Sequence, residues 1–575
     1  MTQAQATTMT GGSVVVRLLK GLGVRTVFGV PGGQTLAITD AILDEADMRF
    51  VTARHEGAAA CMADAVGRLN GTPGVCLATT GPGATNMLTG IGGAFRDSSP
   101  VVAITCNNRL AEFDLDDAQA ADHMAIYQSL VKWAKFVSTP GSIRQAVEEA
   151  FLRAMAGCPG PVLLDFARDV LEGPVPPAGL EGLPEGSERI ALPVERPAAE
   201  PERLAAVAAR LRAARSPTLW IGNGVKASRA GDAALALAEA LDMPVVTTFN
   251  GIGSVATTHE LVYGPLSRMG TELSTRILAD TDVLVAVGNS LNGVSTGRWS
   301  LGVPAEIIQI DIEPTMIGRY YAERTTGLCA DAGSALTALE RTLAAHPADS
   351  AAAAARATRI RALSAARAAW WDASARNGDA IEGAVAPDQL MRVVRDHTPD
   401  DAIAVVDAGN PGVWSYLWEV RAANTYIKPT GFGNMGFAVP AAVGAHFAQP
   451  DVPIVVFVGD GSLGMSLGEV ETLARENIPA SVVVLNDSGY GNIRQEQIVH
   501  YGETRTIGVD FGDVDFAGIA RGCGVEGERV TNLSQLADAL RRTVGTGRPY
   551  LVDVVIDPTV NAWTFPAFQP FDPQD

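Results

Sequence analysis

The sequence predicts an α/β protein of three doubly wound parallel-sheet domains, and three observations carry that expectation. Short continuous apolar runs of strand length recur along the chain, separated by helix-length patterns, as in parallel strands covered on both faces. Two composition breaks leave three segments of similar size, about 1–171, 200–345 and 385–575. The whole chain of 575 residues also exceeds one core, since a domain holds roughly 100–200 residues.

Each segment repeats the same alternation. In the first, VVVRLLKGLG leads into TVFGV, an Ala-rich helix, GVCLATT and VVAIT. In the second, a helix precedes PTLWIGNG, and another helix leads to PVVTT, VLVAVGN and IIQIDI. In the third, AIAVVDAG, IVVFVGDG, SVVVLND and YLVDVVI alternate with helices. The first break, about Glu172 to Glu202, is dense in Pro, Gly and Glu and reads as an exposed linker. The second, about Ala344 to Pro387, is rich in Ala and Arg and predicts a helix that ends at the turn-like Asn377-Gly378-Asp379.

Composition excludes several function classes. Hydrophobic residues at 47% and charged residues at 19% fit a packed protein and exclude bulk disorder. A net charge of −20 leaves no basic excess for phosphates, which argues against nucleic acid or an anionic membrane as partner. No apolar run reaches the ~18 residues of a membrane span, and Met1–Gly12 lacks the basic and apolar regions of a signal peptide. The six cysteines form no CxxC pair and read as reduced thiols of a cytoplasmic protein. The seven histidines show no metal spacing, so zinc is not expected.

Ligands of such sheets bind beyond the carboxyl ends of the strands. In IVVFVGDGSLGMSLGEVETLARENIPASVVVLND, one strand ends at Gly459-Asp460-Gly461 and the next at Asn486-Asp487. These belong to one βαβ unit, so Asp460 and Asp487 reach the same sheet edge although 27 residues apart. Glycine admits a ligand close to the backbone, and the helix that starts there offers free N–H groups to phosphate. Two oxygen-bearing side chains beside a phosphate cradle suit Mg²⁺.

This GDG pattern, followed about 27 residues later by Asn-Asp, resembles the diphosphate-binding motif of thiamine diphosphate (ThDP) enzymes. Asp487 departs from the asparagine usual in that family. The resemblance implies the ThDP-enzyme fold: a pyrimidine-binding domain, a central domain and a diphosphate-binding domain. It implies Mg²⁺ held by the Asp460 and Asp487 side chains and the Gly489 carbonyl, with Gly461 and Ser462 at the diphosphate. It covers nearly the whole chain and is nearest to the acetolactate-synthase-like branch, through FGVPGGQTL, ARHEGAAACMADAVGR and TTGPGATN.

By the same resemblance Glu56 is the catalytic glutamate. A carboxylate bonded to N1′ of the aminopyrimidine promotes the tautomer that removes the weakly acidic C2 proton, and burial sharpens that bond. DAGNPGVW and GFGNMG resemble the rest of the cofactor site: Gly409 and Asn410 meet the diphosphate, Gly433 is a further cofactor-binding position, and Met435 is the hydrophobe that bends the cofactor. GFGNMG also fits the GxGxxG of a nicotinamide site, but no strand is expected to lead directly into it. The central domain in this family often holds FAD or ADP, and Asp311 at the end of IIQID is a candidate for ribose or a plain strand-end acid. The active site of related enzymes lies between two subunits, Glu56 of one facing Asp460 of the other, so a homodimer or homotetramer is implied.

Substrate choice falls to residues near C2: Gly32, Gly33, Phe95, Gln119 and YGNIRQEQIVHY. Gln119 lies 14 residues before Trp133, as the substrate-side glutamine does in acetolactate synthases. Those enzymes usually read RQWQ where this chain has Arg494-Gln495-Glu496-Gln497. Glu496 removes an apolar wall and supplies a base, which suits deprotonation of a tertiary alcohol. The strand end Asp311-Ile312-Glu313-Pro314 resembles that of the oxalyl-CoA decarboxylases and 2-hydroxyacyl-CoA lyases of the same superfamily, and with Glu496 this resemblance implies a 2-hydroxyacyl-CoA lyase that releases a ketone or aldehyde and formyl-CoA. Arg268, Arg276 and Arg298 are the candidates for binding the acyl-CoA. The alternative is an acetolactate synthase catalytic subunit or similar 2-oxoacid decarboxylase or carboligase. A non-catalytic ThDP-fold protein and a nicotinamide oxidoreductase follow. The tail from Asn561, with Trp563, Phe565, Phe568 and Phe571, reads either as a lid over the pocket or as a segment packed on the surface of a neighbouring subunit.

Overall fold

The computed structural model describes residues 9–113, 115–186, 188–267, 269–345, 349–374, 381–565 and 568–570. Three parallel six-stranded sheets flanked by helices give the predicted α/β architecture. The first contains β1 (Thr26–Gly29), β2 (Arg49–Thr52), β3 (Gly74–Ala78), β4 (Val101–Asn107), β5 (Trp133–Val137) and β6 (Pro161–Ala167), in the order β2-β1-β3-β4-β6-β5. The second contains β7 (Thr218–Ile221), β8 (Val245–Thr247), β9 (Val262–Pro265), β11 (Leu284–Val287), β12 (Ile307–Asp311) and β13 (Thr325–Cys329), in the order β13-β12-β11-β7-β8-β9. The third contains β14 (Ile403–Val406), β15 (Tyr426–Ile427), β16 (Ile454–Gly459), β17 (Ala480–Asn486), β18 (Glu526–Val530) and β19 (Tyr550–Val555), in the order β15-β14-β16-β17-β19-β18. The strand order reverses at β1/β3 in the first sheet and at β14/β16 in the third, and such reversals open ligand crevices. A two-stranded antiparallel pair joins β10 (Met269–Thr271) to β20 (Phe568–Pro570).

The chain forms two compact units. One comprises the residues up to Glu195 with Val439–Asp451 and Ser466–Glu476; the other comprises Arg196–Ala438, Val452–Met465 and the residues from Asn477 on.

In the first unit the helix Glu56–Asn70 is buried almost all round, which its Ala-rich sequence permits. His55 caps its start, its ring Nδ1 accepting from Gly57 N at 3.0 Å, and Gly71 ends it at φ +69°. Neighbouring chain approaches through glycine: a Cβ on Gly444 would lie 2.0 Å from the Met62 carbonyl oxygen. Near its end, half-buried Arg68 bridges the buried carboxylates of Asp64 and Asp97, each at 2.8 Å. Such a pair holds geometry more than it adds stability, because both charges lose water.

In the second unit the predicted Ala/Arg helix spans Ser350–Ser374. Its Arg359 donates to the carbonyls of Pro217 and Ile277, both at 2.8 Å. Over its described part the aromatic tail packs within the second unit. Phe565 and Phe568 pack on buried Trp414, with ring centroids 4.9 and 5.5 Å away, and burying side chains of this size contributes ~1.5–3 kcal/mol each. Phe571 and the residues after it lie outside the described residues. Among the described residues no helix is long and apolar enough to cross a membrane.

Candidate functional site

In the first unit Glu56 opens its helix and is 9% exposed. Asn86 Nδ2 donates to Glu56 Oε2 at 2.9 Å. Asn86 ends the short helix Pro82–Asn86, whose Gly83 leaves only 3.4 Å between a built Cβ and Glu56 Oε1. From the other side Glu469, itself buried, accepts from Arg54 N at 2.8 Å and from Thr472 Oγ1 at 2.8 Å. The backbone entering the helix is thereby fixed two residues before Glu56. Burial raises the Glu469 carboxyl, while Thr472 and the Arg54 and His55 amides pull it down.

Gln119 is exposed, with φ +62°, and its carbonyl oxygen lies 2.3 Å from where a Gly81 Cβ would stand. Gly32 and Phe95 are half-buried and Gly33 exposed. Gln34, which the sequence reading passed over, accepts from Thr79 Oγ1 at 2.6 Å and donates to Asn108 Oδ1 at 3.4 Å across the ends of β1, β3 and β4.

In the second unit the ends of β14, β16 and β17 bring together most of the predicted cofactor residues. Asp460 begins the helix Asp460–Met465, and its Oδ2 accepts from Gly489 N at 2.8 Å. Gly489, expected to offer its carbonyl to a metal, lies beside Asp460 with its amide turned to that carboxylate. Burial and then the Asp487 charge push the Asp460 carboxyl up to about 7. Asp487 is also raised by burial, against the pull of Arg494, whose Nη1 lies 3.6 Å from Asp487 Oδ2 and whose Nη2 donates to the Asp487 carbonyl at 3.1 Å. Arg494 is shared with Asp510, whose Oδ1 lies 3.0 Å from its Nε, so it offsets the Asp487 charge only in part.

Asn410 Oδ1 accepts from Asn492 Nδ2 at 3.0 Å. Gly491 has no room for a side chain: a Cβ would lie 2.0 Å from Asp487 Oδ2 and 3.0 Å from Asn410 Nδ2. Gly409 precedes Asn410 at φ +77°, a conformation that favours glycine. A Cβ on Gly461 would meet the Tyr490 ring at 2.7 Å. Ser462 bonds Asp407, a buried carboxylate that also accepts from Ala408 N and Ala438 N, both at 2.8 Å, tying the loop after β14 to the segment after GFGNMG. Within GFGNMG, Gly433 is exposed at φ +69° and Met435 is half-buried. The two-residue strand β15 does precede this stretch, ending at Ile427, but as an edge strand well short of Gly431.

This donor set fits a divalent cation with a diphosphate. Two buried carboxylates that repel one another call for a cation, and glycine-lined backbone at a helix start calls for phosphate. Among the described residues no group of three His, Cys, Asp or Glu stands together as a metal-binding cluster.

The remaining candidates do not converge on a second substrate site. Glu496 is half-buried on the helix Gly491–Tyr501. Arg276 faces Glu272 on its own helix at 3.9 Å, Arg298 stands exposed, and Arg268 lies outside the described residues. Asp311 turns its carboxylate onto its own loop, accepting from Glu313 N at 2.9 Å, and burial pushes it up to about 6.

Comparison with known proteins assigns all three segments. Residues 9–126 match the N-terminal TPP binding domain of thiamine pyrophosphate enzymes, 204–339 their central domain and 407–554 their C-terminal TPP binding domain. The acetolactate synthase large subunit of Parasynechococcus marenigrum is 34% identical, covering 95% of this chain and 87% of its own length. The acetolactate synthase isozyme 2 large subunit of Escherichia coli is 31% identical over 96% of this chain and 97% of its own. A probable acetolactate synthase large subunit of Methanocaldococcus jannaschii is 31% identical over 96% and 92%. These length-wide similarities overturn the expectation of a 2-hydroxyacyl-CoA lyase. That expectation gave one glutamate on a helix, Glu496, more weight than the pattern of the whole chain, and the similarities give no support to an acyl-CoA substrate.

Proposed function

Since this chain belongs to the thiamine pyrophosphate enzyme family, we propose that it is a carboligase of the acetolactate synthase kind, acting on 2-oxoacids. The observation that carries this reading is similarity along nearly the full length to acetolactate synthase large subunits, on a chain that keeps both Glu56 and the Asp460/Asp487 pair. The donor 2-oxoacid loses CO₂, and its acyl carbon bonds to the carbonyl carbon of a second 2-oxoacid. That carbonyl oxygen takes a proton and becomes a tertiary alcohol.

ThDP, when bound, supplies an acyl carbanion equivalent. Asp460, Asp487 and Gly489 would hold Mg²⁺, while Gly409, Asn410, Gly461 and Ser462 would receive the diphosphate. Gly433 would leave the backbone open beside the cofactor, and Met435 would press against it. Glu56 would keep a hydrogen-bonded proton at the aminopyrimidine N1′, a role that burial strengthens because little water competes for its carboxylate. The turn bearing Gln119 would face the substrate, and Glu496 would form part of the pocket wall. The protein would assemble as a homo-oligomer.

The test is mass spectrometry of products formed with ThDP and Mg²⁺ from pyruvate, and from pyruvate with 2-oxobutyrate. Acetolactate and acetohydroxybutyrate with matching CO₂ are expected, and both should vanish in Glu56→Gln. Absence of any C–C product while CO₂ is released would reduce the reading to a decarboxylase, and silence in both tubes would overturn it.

A further inference from the structure

His123 and Asp165 form a buried pair in the first unit, with side chains 0% and 1% exposed. Asp165 interrupts the apolar strand β6, PVLLDFA. Its Oδ1 accepts from His123 Nδ1 at 2.9 Å and from Thr105 Oγ1 at 2.8 Å, and its Oδ2 accepts from Asn107 Nδ2 at 3.1 Å. On the far side of the ring, Gly81 N donates to His123 Nε2 at 3.0 Å. A backbone amide only donates, so Nε2 is bare and the proton sits on Nδ1, facing Asp165.

Gly81 is the residue that a side chain would most disturb here. Its φ is +58°, and a Cβ would strike the Gln119 carbonyl oxygen at 2.3 Å. It caps the helix Pro82–Asn86, whose last residue donates to Glu56. One turn after His123, Tyr127 grips the same segment, its buried hydroxyl donating to the Ala84 carbonyl at 2.5 Å. The short helix His123–Tyr127 thus presents two side chains, four positions apart, to one five-residue helix. Apolar side chains of equal volume would fill this space without desolvating a carboxylate, so packing alone does not account for the polar set.

We propose that His123, oriented by Asp165 and assisted by Tyr127, is a positioning residue for Glu56: it holds Gly81 and so aims the Asn86 amide at the Glu56 carboxylate. This rests on the reading of Glu56 as the group that serves the cofactor's aminopyrimidine. Gln suits the position as a conservative substitute, since its amide carries one acceptor and one donor.

The test compares His123→Leu, His123→Gln, Tyr127→Phe and Glu56→Gln in the full-length protein. One readout is deuterium uptake by the backbone of residues 80–86 without ThDP; the other is the rate of deuterium exchange at C2 of saturating ThDP, followed by NMR. His123→Leu should raise uptake at Gly81 at least about tenfold and slow C2 exchange about 10- to 100-fold. His123→Gln should bring both to within about threefold of the parent, and Tyr127→Phe should slow C2 exchange about two- to fivefold. Parent-like C2 exchange in His123→Leu, with exchange lost in Glu56→Gln, would overturn the positioning role alone. Parent-like exchange in Glu56→Gln would remove the role of Glu56, and that of His123 with it. If His123→Leu does not fold, Tyr127→Phe decides: unchanged exchange in that variant overturns the proposal.

Discussion

Asn86 Nδ2 donates to Glu56 Oε2 at 2.9 Å, joining two helix ends that lie 30 residues apart in sequence. The carboxylate is buried, and a hydrogen bond to a charged group contributes ~1.5–3 kcal/mol. Asn86→Leu removes that donor and leaves Glu56 free to turn. We expect kcat/KM for 2-oxoacid condensation to fall about 10- to 100-fold, corresponding to that energy. Because the same bond also supports the fold, activity is compared well below the melting temperature of the variant, where a loss in fully folded protein is one of aim.

Asp460 and Asp487 give a prediction about metal and pH. Burial and the Asp487 charge hold the Asp460 carboxyl at about 7, well above an ordinary aspartate. A divalent cation binds the deprotonated form, so below pH 7 it must displace a proton. Calorimetric titration should show Mg²⁺ affinity, in the presence of ThDP, weakening as the pH falls through the range in which the Asp460–Asp487 pair takes up protons, and levelling above it. Chelation should lower the melting temperature, because a ligand at about 100 times its Kd stabilises by ~2.7 kcal/mol. Asp460→Ala should be insensitive to the chelator.

A stability prediction comes from Asp388, fully buried in the helix Pro387–Asp396. Burial pushes its carboxyl up to about 6, partly offset by local backbone amides and the Arg392 charge. The folded state therefore favours the protonated form more than the unfolded chain does. Its contribution is full below the unfolded value near 3.8 and is lost as pH rises through about 6. Asp388→Asn should raise stability at pH 7.5, by at most ~3 kcal/mol at ~1.4 kcal/mol per unit. The gain should vanish near pH 4, which denaturant titrations at the two pH values would detect.

The interior strands were legible because burial on both faces demands continuous apolar runs: IVVFVG and SVVVLN are β16 and β17. The edge strands were not. In β5, WAKFV, and β18, EGERV, half-covered positions tolerate charge and erase the run. β6 is fully buried yet was missed for a different reason: Asp165 breaks its pattern, and that aspartate is the partner of His123. That Asp460 and Asp487 meet at one sheet edge could be read because they follow consecutive strands of one βαβ unit. Asn86 lay within the quoted TTGPGATN, but its bond to Glu56 needs the tertiary fold. Glu496 misled because a single substitution was read as a change of chemistry.

The close approach of Gly491 to the Asp487 carboxylate gives the last prediction. A Cβ on Gly491 would sit 2.0 Å from Asp487 Oδ2 and 3.0 Å from Asn410 Nδ2. The helix Gly491–Tyr501 begins at this residue, where alanine is itself a good helix former, so the backbone accepts Gly491→Ala. The methyl group instead displaces the Asp487 carboxylate, which is held from the other side by Arg494. A carboxylate moved by an ångström no longer shares a cation with Asp460 at the ~2.1 Å that Mg²⁺ requires. Gly491→Ala should therefore weaken ThDP–Mg²⁺ binding at least about tenfold, measured by quenching of tryptophan fluorescence, while the melting temperature without cofactor stays near that of the parent. A large loss of cofactor-free stability would instead make Gly491 a packing residue with no particular bearing on the metal.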